Sequence, residues 1–273
     1  MLNLELAFEH RNHFGLIGLV LAIADLLMLA AGRLQVRGWI CIAVCAILLS
    51  FMAIATVARA QAWASRLGLA QVSSELAPHS ARAWNSLCLA YYAEGGGKVV
   101  GNQNLSKAID ACASGVDASP YSIASFTNLI IFKSGRGDIS RNDWSSYLVR
   151  LRSVNMGPEN RQSLWIIINN VRAGAALDDD GVLAALEIFK ERLHLDAGEY
   201  TAIGYFVLGH SRQPERAFEY FKLAVDGSSV DDPLALETIA EMRRQGRLAW
   251  AEQLELLLDK SWQGAGTAHG NVH

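Results

Sequence analysis

The side chains that could do chemistry in this sequence are few, and their spacing does not complete a catalytic site. No Ser/His/Asp arrangement and no catalytic pair of carboxylates can be defended. Gly95–Lys98 matches part of a phosphate-binding loop, but no strand is predicted before it and no Ser or Thr follows it. No Cys/His spacing typical of structural zinc occurs. The sequence therefore predicts no catalytic residues, no metal ligands and no cofactor.

One short polar cluster could contact a phosphate group. His10 and Arg11 lie in Glu9–His13, just ahead of the first apolar run. A guanidinium group pairs well with phosphate oxygens, so these two residues are candidate contacts for the phosphate of a lipid carrier. The alternative is ordinary anchoring at the membrane surface, and the sequence favours that alternative.

Asp25 is the single charge in the apolar run Phe14–Ala31. A carboxylate near the middle of a bilayer costs about 2.5–3.5 kcal/mol on insertion scales. We expect it to make an intramembrane polar contact, facing additional transmembrane helices from a partner or a second copy. The alternative is a protonated Asp25 that hydrogen-bonds Ser50 or Thr56 of the second apolar run.

Two segments are long and apolar enough to cross a bilayer, which takes about 20 residues. Phe14–Ala31 has 18 residues, and Trp39–Ala58 has 20 residues and no charge. The short link Gly32–Gly38 predicts a two-helix transmembrane hairpin, with residues 1–58 as the anchor and spans at 14–31 and 39–58. The bilayer is thus a predicted partner, and the chain is expected to be an integral membrane protein, in the inner membrane if bacterial.

The rest of the chain has the composition of an ordinary soluble domain, and the periodicity of its apolar residues predicts helices throughout. The net charge of the chain is −3 and no basic stripe occurs, so no nucleic acid is expected as a partner. All five prolines stand at expected helix boundaries. Helix starts are predicted at Asn104, Arg141, Pro158, Asp180, Pro214 and Pro233. The predicted fold class is all-α.

Residues from Ala81 to Phe126 follow one 34-residue frame. The first helix has a large, large, small, large pattern at positions 4, 7, 8 and 11, namely Trp84, Leu87, Cys88 and Tyr91. With an insertion at the inter-helix turn, Gly95 to Asn102, the second helix and its end give positions 20, 24, 27 and 32 as Ala108, Cys112, Gly115 and Pro120. This pattern resembles a tetratricopeptide (TPR) repeat, in which small residues let two antiparallel helices approach closely.

The resemblance implies a TPR-like α-solenoid over residues 59–262. A weaker repeat is expected at Tyr200–Val225, and a final helix pair at Leu234–Arg244 and Leu248–Trp262. The Gly-rich tail, residues 263–273, is expected to be disordered.

The concave face of such a solenoid is the predicted partner-binding surface. It is expected to bind a protein through the first-helix positions Arg82, Asn85, Leu89, Tyr92, Thr127, Asn128 and Ile131. The alternatives are a solvated groove and a groove filled by the chain's own Arg141–Arg152 helix.

Cys88 and Cys112 occupy positions 8 and 24 of one repeat and are expected to lie near each other. A disulfide between them is possible outside the cytoplasm. The sequence favours the other interpretation, two small buried packing residues.

Three stretches carry a second resemblance: Phe8–His13, Arg59–Trp63 and Leu67–Tyr92. They resemble the C-terminal end of polytopic membrane glycosyltransferases with a tetratricopeptide tail, namely the transmembrane-and-repeat O-mannosyltransferases and their bacterial relatives. The early loop that carries the catalytic acid in such enzymes has no counterpart here. The resemblance implies an extracytoplasmic repeat domain, periplasmic if bacterial, a placement that positive charges near the spans do not decide.

The expected function is a membrane-anchored, non-catalytic protein-interaction module in the cell envelope. The alternative is the C-terminal part of a membrane glycosyltransferase that uses a polyprenyl-phosphate-linked sugar and is inactive without the missing spans.

Overall fold

The structure is a computed structural model that describes residues 18, 20–26, 28–29, 32–33, 38–99, 101–211, 213–226 and 228–268. These residues contain helices and no strands, so the predicted all-α class is confirmed. The chain divides into two compact units, Met1–Gly68 and Leu69–His273.

The first unit contains helix α1, Gly38–Trp63. Within its portion Gly38–Gln61, an 18-residue stretch has a mean hydropathy of 2.7, and the portion is long and apolar enough to cross a membrane, by length and composition alone. No part of it is buried within the protein, whereas a core helix of a soluble protein would be mostly buried. The other predicted span, 14–31, lies partly outside the described residues; those described between 18 and 33 are helical and exposed. The described residues therefore show one candidate membrane-spanning helix, and the two-helix hairpin stays a prediction.

Eleven further helices follow in the described part of the chain. They are α2 (Arg66–Leu76), α3 (Ala81–Glu94), α4 (Leu105–Ala118), α5 (Ala124–Arg136), α6 (Arg141–Ser153), α7 (Pro158–Arg172), α8 (Asp179–Arg192), α9 (Ala197–His210), α10 (Pro214–Val225), α11 (Pro233–Arg244) and α12 (Leu248–Ala268). Helix α12 continues past the predicted domain end at 262, and residues 269–273 lie outside the described residues.

Local sequence signals explain where these helices begin. Ser140 and Asp196 each form a reciprocal capping box, which satisfies backbone N–H groups that the first turn leaves without partners. Pro158, Pro214 and Pro233 each stand in the first turn, where a missing N–H costs nothing. All six predicted helix starts fall within one residue of the observed ones.

The helices of the second unit pack in an alternating order. Consecutive odd-numbered helices from α3 to α11 contact each other, and we call this row the first layer. Each even-numbered helix from α4 to α12 packs against the odd-numbered helix before it, and α6 contacts α8 as α10 contacts α12. The even-numbered helices form the second layer. Helices of both layers contribute buried hydrophobic residues to the core.

Two helix pairs are held together by small residues at the crossing. A Cβ atom added at Gly115 of α4 would stand 2.9 Å from Ser125 Cβ and 3.1 Å from Trp84 Cβ. A Cβ added at Gly204 of α9 would stand 2.8 Å from the ring of Phe221 in α10. The close α3–α4 and α9–α10 pairs are the two places where the sequence shows small residues in repeat register.

The central helices are spaced by aromatic rings instead. Trp144 and Tyr147 of α6 are buried, and the Tyr147 ring meets Phe126 of α5 edge-on with centroids 5.5 Å apart. Gly181 of α8 lies against the Trp144 ring, 2.5 Å from where its Cβ would stand. Aromatic rings thus fill the contacts of α6, and the 34-residue frame is not clear in the sequence beyond Gly137.

Candidate partner-binding surface and the buried disulfide

The four predicted binding residues on α3 remain at least partly accessible. Leu89 is 43% exposed, and Arg82 is exposed and forms an ion pair with Glu159 of α7. Asn85 is half-buried, and its Oδ1 accepts a 2.9 Å hydrogen bond from Asn128 Nδ2. Its own amide nitrogen makes no hydrogen bond to any described residue, so it can donate to a ligand.

Tyr92 closes this surface at the C-terminal end of α3. It is half-buried, and its ring stacks on Phe132 of α5 with centroids 4.2 Å apart. Burial raises the pKa of its hydroxyl, which therefore stays protonated near neutral pH. The Tyr92 ring is therefore held against α5 and carries no charge.

The three predicted binding residues on α5 are buried, which corrects the predicted surface. Thr127, Asn128 and Ile131 are 1%, 4% and 4% exposed. Thr127 Oγ1 donates to Ile123 O at 3.0 Å and lies 3.2 Å from the hydroxyl of Tyr147 in α6. The α6 helix thus covers part of this face, in line with the alternative of a groove filled by the chain itself. These residues hold helices together and cannot contact a partner.

Helix α5 is buried because four other helices pack around it. It packs against α3, α4, α6 and α7. Asn160 of α7 holds the segment just before α5 in place: its Oδ1 accepts from Ile123 N at 3.0 Å, and its Nδ2 donates to Tyr121 O. The same Nδ2 also donates to Asn155 O in the segment before α7. The remaining candidate surface, which we call the α3 surface, consists of Arg82, Asn85, Leu89 and Tyr92.

Cys88 and Cys112 form a disulfide between α3 and α4, with Cα atoms 5.1 Å apart. Both residues are 0% exposed. The preferred sequence interpretation, two unlinked packing residues, is therefore wrong. Ala108 and Gly115 flank Cys112 on α4, and their small size lets the two helices come within disulfide reach. The disulfide fastens the helix that carries the α3 surface.

The glycine-rich segment after α3 is a loop, as expected, and its polar groups bind the chain itself. Asn102 Nδ2 donates to Tyr92 O and Gly97 O, both at 2.9 Å, and its Oδ1 accepts from Asn104 N. Gly97 N donates back to Tyr92 O at 2.8 Å. Because Gly97 has φ of +66°, only a glycine takes this position without strain.

A shallow groove of about 350 Å³ was not anticipated from the sequence. Phe126 of α5 contributes to it, and the other lining residues come from α6: Ser145, Ser146, Val149, Arg150 and Ser153. Arg150 Nη1 donates to Val116 O and Ser119 O at the end of α4. The only sequence signal for this groove is Val149, an apolar residue that lies off the buried face of α6. In the structure its side chain is 67% exposed.

Asp25 is exposed and makes no hydrogen bond to the described residues of α1. Ser50 Oγ donates to Ala46 O and Thr56 Oγ1 donates to Met52 O, both at 2.8 Å, so each hydroxyl is satisfied within its own helix. His10 and Arg11 lie outside the described residues. Within the described residues, no group of three His, Cys, Asp or Glu side chains could hold a metal ion.

Comparison with family models, curated proteins and solved structures gave no match for this chain.

Proposed function

We propose that the protein is a membrane-anchored, non-catalytic interaction module whose TPR-like α-solenoid holds a protein partner in the cell envelope. The observation that carries this proposal is the alternating packing of the second unit, in which odd-numbered helices contact odd-numbered helices. In helical repeat proteins each pair buries its apolar face only against its neighbours, and the stacked pairs present extended binding surfaces.

The α3 surface has the composition of a protein contact. Leu89 is an exposed apolar residue, Asn85 has amide protons to donate, and Arg82 and Tyr92 belong to the residue types enriched at interfaces. The disulfide and the Tyr92–Phe132 stack hold the surface in one conformation. A preorganised surface loses little side-chain entropy when a partner binds.

Helix α1 supports the proposed membrane anchor, and the disulfide supports the proposed compartment. Helix α1 is apolar, exposed and long enough to span a bilayer. Disulfides persist in oxidising compartments and are rare in the cytoplasm. The proposal therefore puts residues 69–273 outside the cytoplasm, in the periplasm if the source is a bacterium. A reporter fused after residue 270 that is active only in the cytoplasm would overturn this placement.

Two exposed apolar residues on different helices give a matched test of the binding surface. Leu89→Glu should weaken capture of a partner that crosslinks to the α3 surface by about 30-fold, as expected for a central contact worth about 2 kcal/mol. Val149→Glu on α6 introduces the same charge and should leave capture unchanged. If Val149→Glu abolishes capture and Leu89→Glu does not, the α3 surface is not the binding site.

The resemblance to membrane glycosyltransferases stays a prediction. A coding sequence for further apolar spans directly upstream of Met1 would support it, and a ribosome-binding site there would support the separate module.

A further inference from the structure

Within the second unit, Cys88 and Cys112 can form a disulfide only with each other. The sequence contains four cysteines, and only Cys88 and Cys112 follow residue 60. They are consecutive in the chain and 24 positions apart. Cys41 and Cys45 both lie in α1, the apolar helix. A wrong disulfide therefore cannot form within residues 69–273.

The folded chain closes off this disulfide. Both cysteines are 0% exposed, and the surrounding α4 residues Ala108 and Ala111 are 0% and 4% exposed. Gly115, one turn along α4, is in contact with Trp84 and Ser125, so the helices on both sides close over the crossing. Thiol–disulfide exchange requires an attacking thiolate to reach one sulfur directly. The folded unit admits neither an oxidant nor a reductant.

We infer that Cys88 and Cys112 are oxidised by exchange with a disulfide-bearing oxidant while α3 and α4 are still apart, and that no isomerisation step follows. The thiolate of one cysteine attacks the oxidant's disulfide, which gives a mixed disulfide and releases one oxidant thiolate. The thiolate of the other cysteine then attacks the mixed disulfide, which closes the Cys88–Cys112 bond and releases the second oxidant thiolate. Two protons leave the two cysteines, and two electrons pass to the oxidant.

The chain is thus a substrate of a dithiol-oxidising system, and the reaction precedes burial. Once α3 and α4 close, the bond is a permanent part of the structure and does not respond to ordinary changes in redox conditions. This inference goes beyond the proposed interaction module and does not depend on the identity of its partner.

The order of oxidation and burial can be tested on the full chain in detergent. The oxidised protein is treated with dithiothreitol, samples are quenched with acid, and thiols are counted by gel shift with a polymer-linked maleimide. Reduction should be at least about a hundredfold slower in native buffer than in concentrated guanidinium, because exchange must wait for the helices to open. Similar rates in the two solvents would overturn the inference that burial closes off the bond.

The absence of an isomerisation step can be tested in bacterial hosts. The bond should form in the parent strain, be lost in a strain without its dithiol oxidase, and be unaffected in a strain without its disulfide isomerase. Loss of the bond in the isomerase mutant would overturn the inference. A Cys41→Ser/Cys45→Ser variant should form the bond equally well, and a change in its yield would show that α1 cysteines take part.

The two proposals fail in different ways. Reduced Cys88 and Cys112 in the parent strain would overturn the proposed compartment and the oxidation in cells together. A failure confined to the guanidinium comparison would overturn only the order of oxidation and burial.

Discussion

Gly115→Ala should destabilise the second unit, although alanine is the better helix former. Gly115 lies inside α4, and an added Cβ would stand 2.9 Å from Ser125 Cβ and 3.1 Å from Trp84 Cβ, and in direct conflict with Ser125 Oγ. The two Cβ atoms sit next to the backbone of α5 and α3. They cannot move aside as the end of a flexible side chain would, so the helices must separate.

Three effects set the size of the change. Replacing glycine by alanine in a helix interior gains about 1 kcal/mol. Overpacking a well-packed crossing costs about 1–3 kcal/mol. Moving Ser125 also weakens the hydrogen bond from its Oγ to Ala81 O, which is 3.3 Å long, at a cost of about 0.5–1.5 kcal/mol. We expect a net loss of about 0.5–3.5 kcal/mol, because the overpacking and the lost hydrogen bond together exceed the gain in helix propensity.

The assay is urea unfolding of the full chain in detergent, followed by circular dichroism, with Gly135→Ala as the matched control. Gly135 lies in α5 with no atom within 4 Å of an added Cβ, so its replacement should gain up to about 1 kcal/mol. In the Gly115→Ala background, Ser125→Gly should cost less than it does alone, because it removes two of the three conflicts. Stabilisation by both alanine substitutions would refute the close-crossing argument.

Three further outcomes are expected. Replacing Cys88 and Cys112 together by alanine should lower the free energy of unfolding by about 3.5 kcal/mol, since the bond closes a loop over a separation of 24 residues; an unchanged urea midpoint would contradict a stabilising role. Asn160→Ala should lower the free energy of unfolding by about 2–4 kcal/mol in the same assay, because Ile123 N and two carbonyl groups lose a buried partner. A loss no larger than that caused by replacing an exposed residue would contradict this prediction. Asp25→Leu should leave membrane insertion intact and weaken association with a partner or second copy by about 0.6–2 kcal/mol, measured by crosslinking at matched expression; an unchanged complex would retire the intramembrane contact.

Much of the helical organisation could be predicted from local signals. The prolines at the starts of α7, α10 and α11 cannot stand in a helix interior, so they mark boundaries wherever the chain folds. Ser140 and Asp143 form a capping box with each other, and that motif needs no tertiary contact. The apolar length of α1 is likewise a property of the sequence alone.

The candidate site was predicted less well, because position on a helix does not say what packs on it. Thr127 and Asn128 have the register of groove-facing residues, but the rings of α6 and the helices on either side of α5 bury them. Asn85 and Ser86, at the equivalent positions on α3, are half-buried and exposed, because α3 has fewer neighbours in the first layer. Sequence spacing fixes which residues share a face, and only the packed neighbours decide whether that face meets solvent.

The disulfide shows the same division between local and tertiary information. By itself, the sequence predicted that Cys88 and Cys112 stand near each other on two small-residue helix faces, and it determined that Gly115 has no side chain to separate them. It did not determine whether the two sulfurs come within bonding distance, since that depends on how closely α3 and α4 approach at their crossing. The tertiary structure decided it: the missing side chain at Gly115 lets α4 settle against Trp84 and Ser125, and the Cα atoms of the two cysteines come to 5.1 Å. A disulfide forms only when the packing of two helices brings their cysteines within bonding distance, whereas a repeat pattern gives only the order of residues along the chain.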